Sequence, residues 1–183
     1  MPSLDNNTKA FLELVRAGFG EKEARLSRLD EVDYDNLLRL AEEQSVEGLV
    51  TAGLEHVQDA KVPKEVLLQF IGLTLQLEQR NKAMNVFIAE LVEKLRAEGI
   101  NVILVKGQGV AQCYEKPIWR TSGDVDLLMD AENYKKAKSF LLPQSSSYKN
   151  DERYSKHLGK SLDPWYVEIH GTLRSGLSGK VDR

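Results

Sequence analysis

Cysteine is almost absent from this chain: of 183 residues, only Cys113 is one. A lone thiol excludes an intramolecular disulfide and any cysteine-rich metal site, and it suits a reducing compartment. An excess of one charge is missing too. The 28 acidic residues nearly match the 25 basic ones, and the net charge is −3. No global basic field therefore draws nucleic acid in general, and a polyphosphate ligand would need its charge met locally. No run of 18 apolar residues occurs and the first ten residues, MPSLDNNTKA, are polar. The chain thus reads as having neither a membrane span nor a signal peptide, and the cytoplasm is the expected location.

Two familiar glycine loops are also lacking. A Walker loop needs a glycine five residues ahead of its closing Gly-Lys-Ser/Thr, and Gly159-Lys160-Ser161 has Tyr154 at that place. A dinucleotide fingerprint needs a third glycine where Gln112 stands, inside a repeating βαβ plan. What remains is a globular composition, 42% hydrophobic and 29% charged, long enough for one domain or one and a half.

The first half is helical in pattern. Phe11, Leu12, Leu14 and Val15 recur at helical spacing between Thr8 and about Ala17, ahead of Gly18 and Gly20. A second helix is expected from Asp33 or Asp35, with Leu37, Leu38, Leu40 and Ala41 on its apolar side. A third covers Val46 to Val57, with Gly48 and Gly53 as weak points. Pro63 suits the first turn of a fourth. That helix would reach Glu98 and span about 54 Å, so a kink or break is expected, with Gly72 nearest.

At Ile100 the character changes. Residues 100–105 read as a strand apolar on both faces, as in a covered sheet. Gln108–Tyr114 reads as a short helix stopped by Pro117, with Cys113 in its core side. Asp124–Met129 is a second strand and Asn133–Leu142 a helix with Tyr134, Ala137, Phe140 and Leu141 on one side. Pro143 and Ser145–Ser147 read as a surface loop. Arg153–Leu158 is a third strand, turning at Ser161-Leu162-Asp163-Pro164 into a fourth, Trp165–His170. The expected fold class is α+β: residues 1–98 form a helical N-terminal region, and residues 99–183 a small mixed sheet flanked by helices.

Chemistry gathers in the second half. In a strand, Asp124 and Asp126 project from one face while Val125 and Leu127 point the other way. The pair reads either as solvated acids at a strand end or as a divalent-metal site; its run into Leu127-Leu128-Met129 favours the metal. Gly107-Gln108-Gly109 reads either as a tight connection or as a phosphate cradle. Glu168 sits on the polar side of its strand with Tyr166 and His170, and becomes a third metal-binding acid if that strand lies beside Asp124–Met129. Its alternative is an edge acid facing water. Lys106 and Arg120 are candidate phosphate partners. His170 would flank the site, whereas His56 and His157 lack ligand spacing. Trp119 and Tyr114 read as packing residues.

Together, Leu104-Val105-Lys106-Gly107, Tyr114, Arg120-x-Ser122-Gly123-Asp124-x-Asp126-Leu127-Leu128 and Val167-Glu168-Ile169-His170 resemble the uncharacterised bacterial nucleotidyltransferase family, of the DNA polymerase β-like superfamily. The resemblance covers roughly residues 85–175. It implies two Mg²⁺ ions, or Mn²⁺ in their place: Asp124 and Asp126 would ligate both, and Glu168 would complete the second and assist as base. An NTP would be attacked in line at its α-phosphorus by an unidentified acceptor, with pyrophosphate leaving. Gly107 and Gln108 would hold the triphosphate, with Lys106, Arg120, Ser122 and Gly123 around it. Two departures stand out. Gln108 replaces a usually small residue. The chain also ends soon after the third acid, which reads as a core cut short, with acceptor binding missing or built from the N-terminal helices. The competing reading is a non-catalytic module of the same fold that binds nucleotide or a partner protein, like an antitoxin. Oligomeric state is left open by the sequence.

Overall fold

The computed structural model describes residues 4–21, 23–27, 29, 31–144 and 157–172. The chain divides into two compact units, Met1–Ala83 with Ala111–Thr121, and Met84–Val110 with Ser122–Arg183.

The first unit is helical. Helix α1 (Asn6–Gly18) begins where the Asp5 carboxylate accepts from the Thr8 N–H, and α2 (Tyr34–Glu43) where Asp33 accepts from Asp35 and Asn36. Each acid satisfies donors that the first helical turn leaves without a partner. Helix α3 (Glu47–Leu54) is buried from Gly48 to its end. Its glycines are packing points, contrary to their expected weakness. A Cβ on Gly53 would lie 2.0 Å from the Leu14 carbonyl oxygen, and one on Gly18 2.1 Å from that of Leu49. Helices α1 and α3 therefore meet backbone to backbone, which only glycine permits. Ala10, Leu14 and Ala17 pack there with Leu37, Ala41, Val50, Leu54 and Phe70.

Helix α4 (Lys64–Ala97) runs as one 34-residue element. The break expected near Gly72 is absent. Open space surrounds Gly72, and its cost to a helix, about 1 kcal/mol, is small beside the packing along the rest of the element.

In the second unit, β1 (Ile103–Val105), β2 (Asp124–Leu128), β3 (His157–Leu162) and β4 (Trp165–His170) form one mixed sheet in the order β1-β2-β4-β3. Only β2 and β4 pair in parallel; β1–β2 and β3–β4 are antiparallel. Met84, Ile88, Leu91 and Leu95, at helical spacing on α4, cover one sheet face together with Tyr134, Ala137 and Leu141 of α6 (Ala131–Leu141). Val125, Leu127, Trp165, Val167, Ile169 and Leu158 meet them from the strands. The protein is α+β, as expected.

Three local expectations are corrected. The first strand is not covered on both faces: β1 is an edge strand, and Ile103 is 63% exposed. The third strand runs on to Leu162 rather than ending at Leu158, because the hairpin closes tightly over Asp163-Pro164; residues 153–156 and Ser145–Ser147 lie outside the described residues. Helix α5 ends early, at Gly107–Ala111, which leaves Cys113 beyond it and exposed.

Candidate active site

The face of the sheet opposite the core carries the candidate site. In the parallel β2–β4 pair, Asp126 stands directly beside Glu168, and Asp124 beside Tyr166. Strand alternation sends Val125, Leu127, Val167 and Ile169 into the core, so Asp124, Asp126 and Glu168 must emerge together on the other side. Carboxylate oxygens of all three lie within 4.8 Å of one another. Gly159 of β3 pairs with Glu168 on its other flank, and a Cβ there would lie 2.0 Å from the Tyr166 hydroxyl oxygen. Glycine at that position makes room for the Tyr166 ring over the strand.

Such a cluster repels itself unless cations answer it. Lys106 Nζ donates to Asp126 Oδ1 at 2.6 Å and lies 4.0 Å from Glu168 Oε2. His170 Nε2 donates to the same Asp126 oxygen at 2.8 Å. Burial raises the pKa of Asp126, but the hydrogen bonds from Lys106 and His170 outweigh it and hold this carboxyl below its ordinary 3.8. Conversely, the Asp126 hydrogen bond raises the Lys106 ammonium above its ordinary 10.5. Asp126 is 2% exposed and the Lys106 side chain 61%, so the acid is fixed while the lysine has solvent to move into.

Lys106 reaches Asp126 from a backbone that few side chains adopt, φ 50°, and Gly107 follows at φ 20°. A non-glycine residue in that region costs on the order of 1 kcal/mol or more, a strain that tends to persist at working sites. Gly107 also faces β2 closely: a Cβ would lie 3.3 Å from the Asp124 carbonyl oxygen and 3.7 Å from Ser122 Oγ. The turn, Ser122 and the first acid thus form one corner. Gly123 has open space beside it.

Gln108 departs from its expected role. Its side chain is buried, with Nε2 3.5 Å from the Met84 sulfur, so a phosphate contact from this residue falls to its backbone. Helix α5 is little more than one turn and brings only a slight macrodipole to that turn. Arg120 belongs to the helical unit, where its guanidinium carbon lies 5.9 Å from the Tyr114 ring centre and Nη1 donates to the Thr121 carbonyl. Tyr114 and Trp119 pack there, as expected: Tyr114 against the Phe19 ring at 5.3 Å, and Trp119 with its indole N–H on Glu78 at 2.7 Å.

Sequence reading gave His157 no role, yet its Nε2 lies 3.5 Å from Glu168 Oε1 and its Nδ1 3.1 Å from His170 Nδ1. The signal was available. Counting outward from the Asp163-Pro164 turn pairs His157 with His170 and Gly159 with Glu168; ending the strand four residues early, at Leu158, hid it.

An all-oxygen trio of acids suits a hard divalent cation such as Mg²⁺, which takes one or two carboxylates and completes its octahedron with phosphate and water. Asp124, Asp126 and Glu168 fit that description in kind, number and convergence. No helix among the described residues is long and apolar enough to cross a membrane.

No curated protein and no solved structure matches the chain. A family model does match, over residues 30–183, and its description is uncharacterised nucleotidyltransferase. That span contains every residue of the acidic trio, the Lys106 turn and both histidines, and it covers most of the 183 residues: the chain belongs to the uncharacterised nucleotidyltransferase family.

Proposed function

We propose that the protein is a metal-dependent nucleotidyltransferase that moves a nucleoside monophosphate from an NTP to the hydroxyl of a small molecule or protein. One observation carries the reading: Asp126 and Glu168 stand in register on adjacent parallel strands, with Asp124 two residues before Asp126 on the same face. A structural strand pair has no use for three converging carboxylates, because their repulsion must be offset by Lys106 and His170.

Asp124, Asp126 and Glu168 would hold Mg²⁺, or Mn²⁺, two ions in all. Bound there, the metal would neutralise the triphosphate and make the acceptor hydroxyl easier to deprotonate. The protein's own groups do the rest. The Lys106–Gly107–Gln108 turn, with Ser122 and Gly123, positions the phosphates. Lys106, which is largely exposed, would turn from Asp126 to a phosphate oxygen. Glu168 accepts the hydroxyl proton. The acceptor oxygen then bonds to the α-phosphorus, the bond from that phosphorus to the pyrophosphate oxygen breaks, and pyrophosphate leaves with the electron pair. His170 holds Asp126 in orientation through its N–H.

The test is to incubate the protein with each α-labelled NTP, Mg²⁺ and pools of small-molecule and protein acceptors, following both label transfer and pyrophosphate. Release of pyrophosphate together with label on an acceptor, lost in Asp124→Asn, is the expected result. Nucleotide binding without any release would point to the non-catalytic binding module instead.

A further inference from the structure

The acidic trio accounts for only part of the open sheet face. We propose that His157, His170 and Glu168 form a second, distinct metal site for a transition-metal ion of the zinc class, joined to the acidic trio through Glu168. It rests on the placement of the two histidines and not on the transfer reading.

The hydrogen-bond chain leads there. An ionised carboxylate only accepts, so His170 must present its Nε2 proton to Asp126, 2.8 Å away. A neutral His170 ring then has a bare lone pair at Nδ1, and this faces His157 Nδ1 at 3.1 Å. Suppose that His157 carries its proton on Nδ1. That contact becomes a hydrogen bond, but the lone pair on His157 Nε2 then faces Glu168 Oε1 at 3.5 Å. Suppose instead that the proton is on Nε2. Two lone pairs now meet at 3.1 Å. Either neutral arrangement sets two electron-rich atoms against each other, and a cation among them removes the conflict.

The spacing fits such an ion. Zinc bonds of about 2.0–2.2 Å in tetrahedral geometry put ligand atoms roughly 3.3–3.6 Å apart. The two Nδ1 atoms, which remain for a metal when His170 Nε2 is held by Asp126, lie 3.1 Å apart, near that spacing. One donor atom from each residue falls within a 4.8 Å cluster. Imidazole nitrogen prefers zinc, cobalt or nickel to magnesium, so this trio and the all-oxygen trio select different ions. The His170–Asp126 hydrogen bond supplies the carboxylate support that a ligating imidazole commonly has behind it. The β3–β4 hairpin holds all three ligands on adjacent strands, with His157 directly opposite His170, so little ordering is needed to bind.

Cobalt makes the site visible. Titrating metal-free full-length protein with Co²⁺ should give the intense visible absorption of a four-coordinate nitrogen-containing site, saturating at one ion per chain. Zn²⁺ should displace it and excess Mg²⁺ should not. His157→Gln and His170→Gln should each weaken Co²⁺ binding more than about tenfold, while Asp124→Asn keeps the band. Circular dichroism of each variant separates ligand loss from unfolding, and histidine NMR of the wild type supplies a second readout, with both imidazoles shifting on Zn²⁺ addition. If no band forms, or if it survives His157→Gln and disappears in Asp124→Asn, the proposal is overturned: the nitrogens are then satisfied by a proton, or the ion sits among the acids alone. Loss of Mg²⁺-dependent nucleotide binding with the cobalt band intact would count against the transfer site and leave the histidine site standing.

Discussion

The helical unit and the α+β unit bury polar groups in opposite ways. In the first, each buried polar side chain among the described residues is neutral and answered within its own unit. Thr51 and Thr74 lie 2.8 Å apart, each also 2.8 Å from the carbonyl oxygen four residues earlier. Asn81 donates to the Ile118 and Arg120 carbonyls. In the second, a charged Asp126 is buried, answered by one exposed lysine and one histidine, with two further acids alongside. The first pattern settles a shape. The second holds charge that is only partly compensated, which makes sense where a cation and a phosphate are to be received.

The contrast can be broken from either side. The largest stability effect is expected where backbones touch. Gly53→Ala should cost roughly 3 kcal/mol in urea unfolding, because its methyl would meet the Leu14 carbonyl carbon and oxygen, which no side-chain rotation can clear.

On the charged side, Asp126→Asn in metal-free protein should cost about 1–3 kcal/mol near neutral pH, since Lys106 and His170 lose their ionic acceptor. Relief of repulsion among the acids offsets part of this. The folded carboxyl is held below 3.8, so its contribution is fully present above that value and fades as pH falls through the lower folded value. The gap between wild type and Asp126→Asn should therefore be wide at neutral pH and narrow in acid. A gap independent of pH would mean that the contact contributes through shape alone.

Smaller effects sharpen the comparison. Thr74→Val should cost about 1 kcal/mol by removing a neutral buried hydrogen bond, with no dependence on acid. Gly72→Ala should raise stability by up to about 1 kcal/mol, because the helix passes through that position with open space around it. A loss there would signal a neighbour that the added methyl meets.

What was legible in the sequence is what depends on local period. Alternation alone assigned Trp165, Val167 and Ile169 to the core and Tyr166, Glu168 and His170 to the other face, and it projected Asp124 and Asp126 together. The second helix reads as starting near Asp33 or Asp35, and Asp33 caps it; the first reads from Thr8, two residues after its actual start behind Asp5. The rest depended on contacts between distant segments. That β2 lies beside β4 was only a condition in the sequence reading, since nothing local fixes which strands pair. Lys106 lands on Asp126 because of a left-handed turn that a lysine does not advertise. Gly48 and Gly53 looked like weaknesses because glycine is poor in a helix; what they do is visible only against Trp119 and Leu14. The His157–His170 pair waited on the hairpin register.

Nucleotide transfer requires Asp124, Asp126 and Glu168 to form a magnesium-dependent nucleotide site. Thermal unfolding with each NTP, with and without Mg²⁺, in wild type and Asp124→Asn, tests it most directly. A ligand that binds only the folded state must raise apparent stability, by about 2.7 kcal/mol at a hundred times Kd. The expected result is a rise for at least one NTP that requires Mg²⁺ in the wild type and disappears in Asp124→Asn. A rise of equal size without Mg²⁺, or one that survives the substitution, would contradict it.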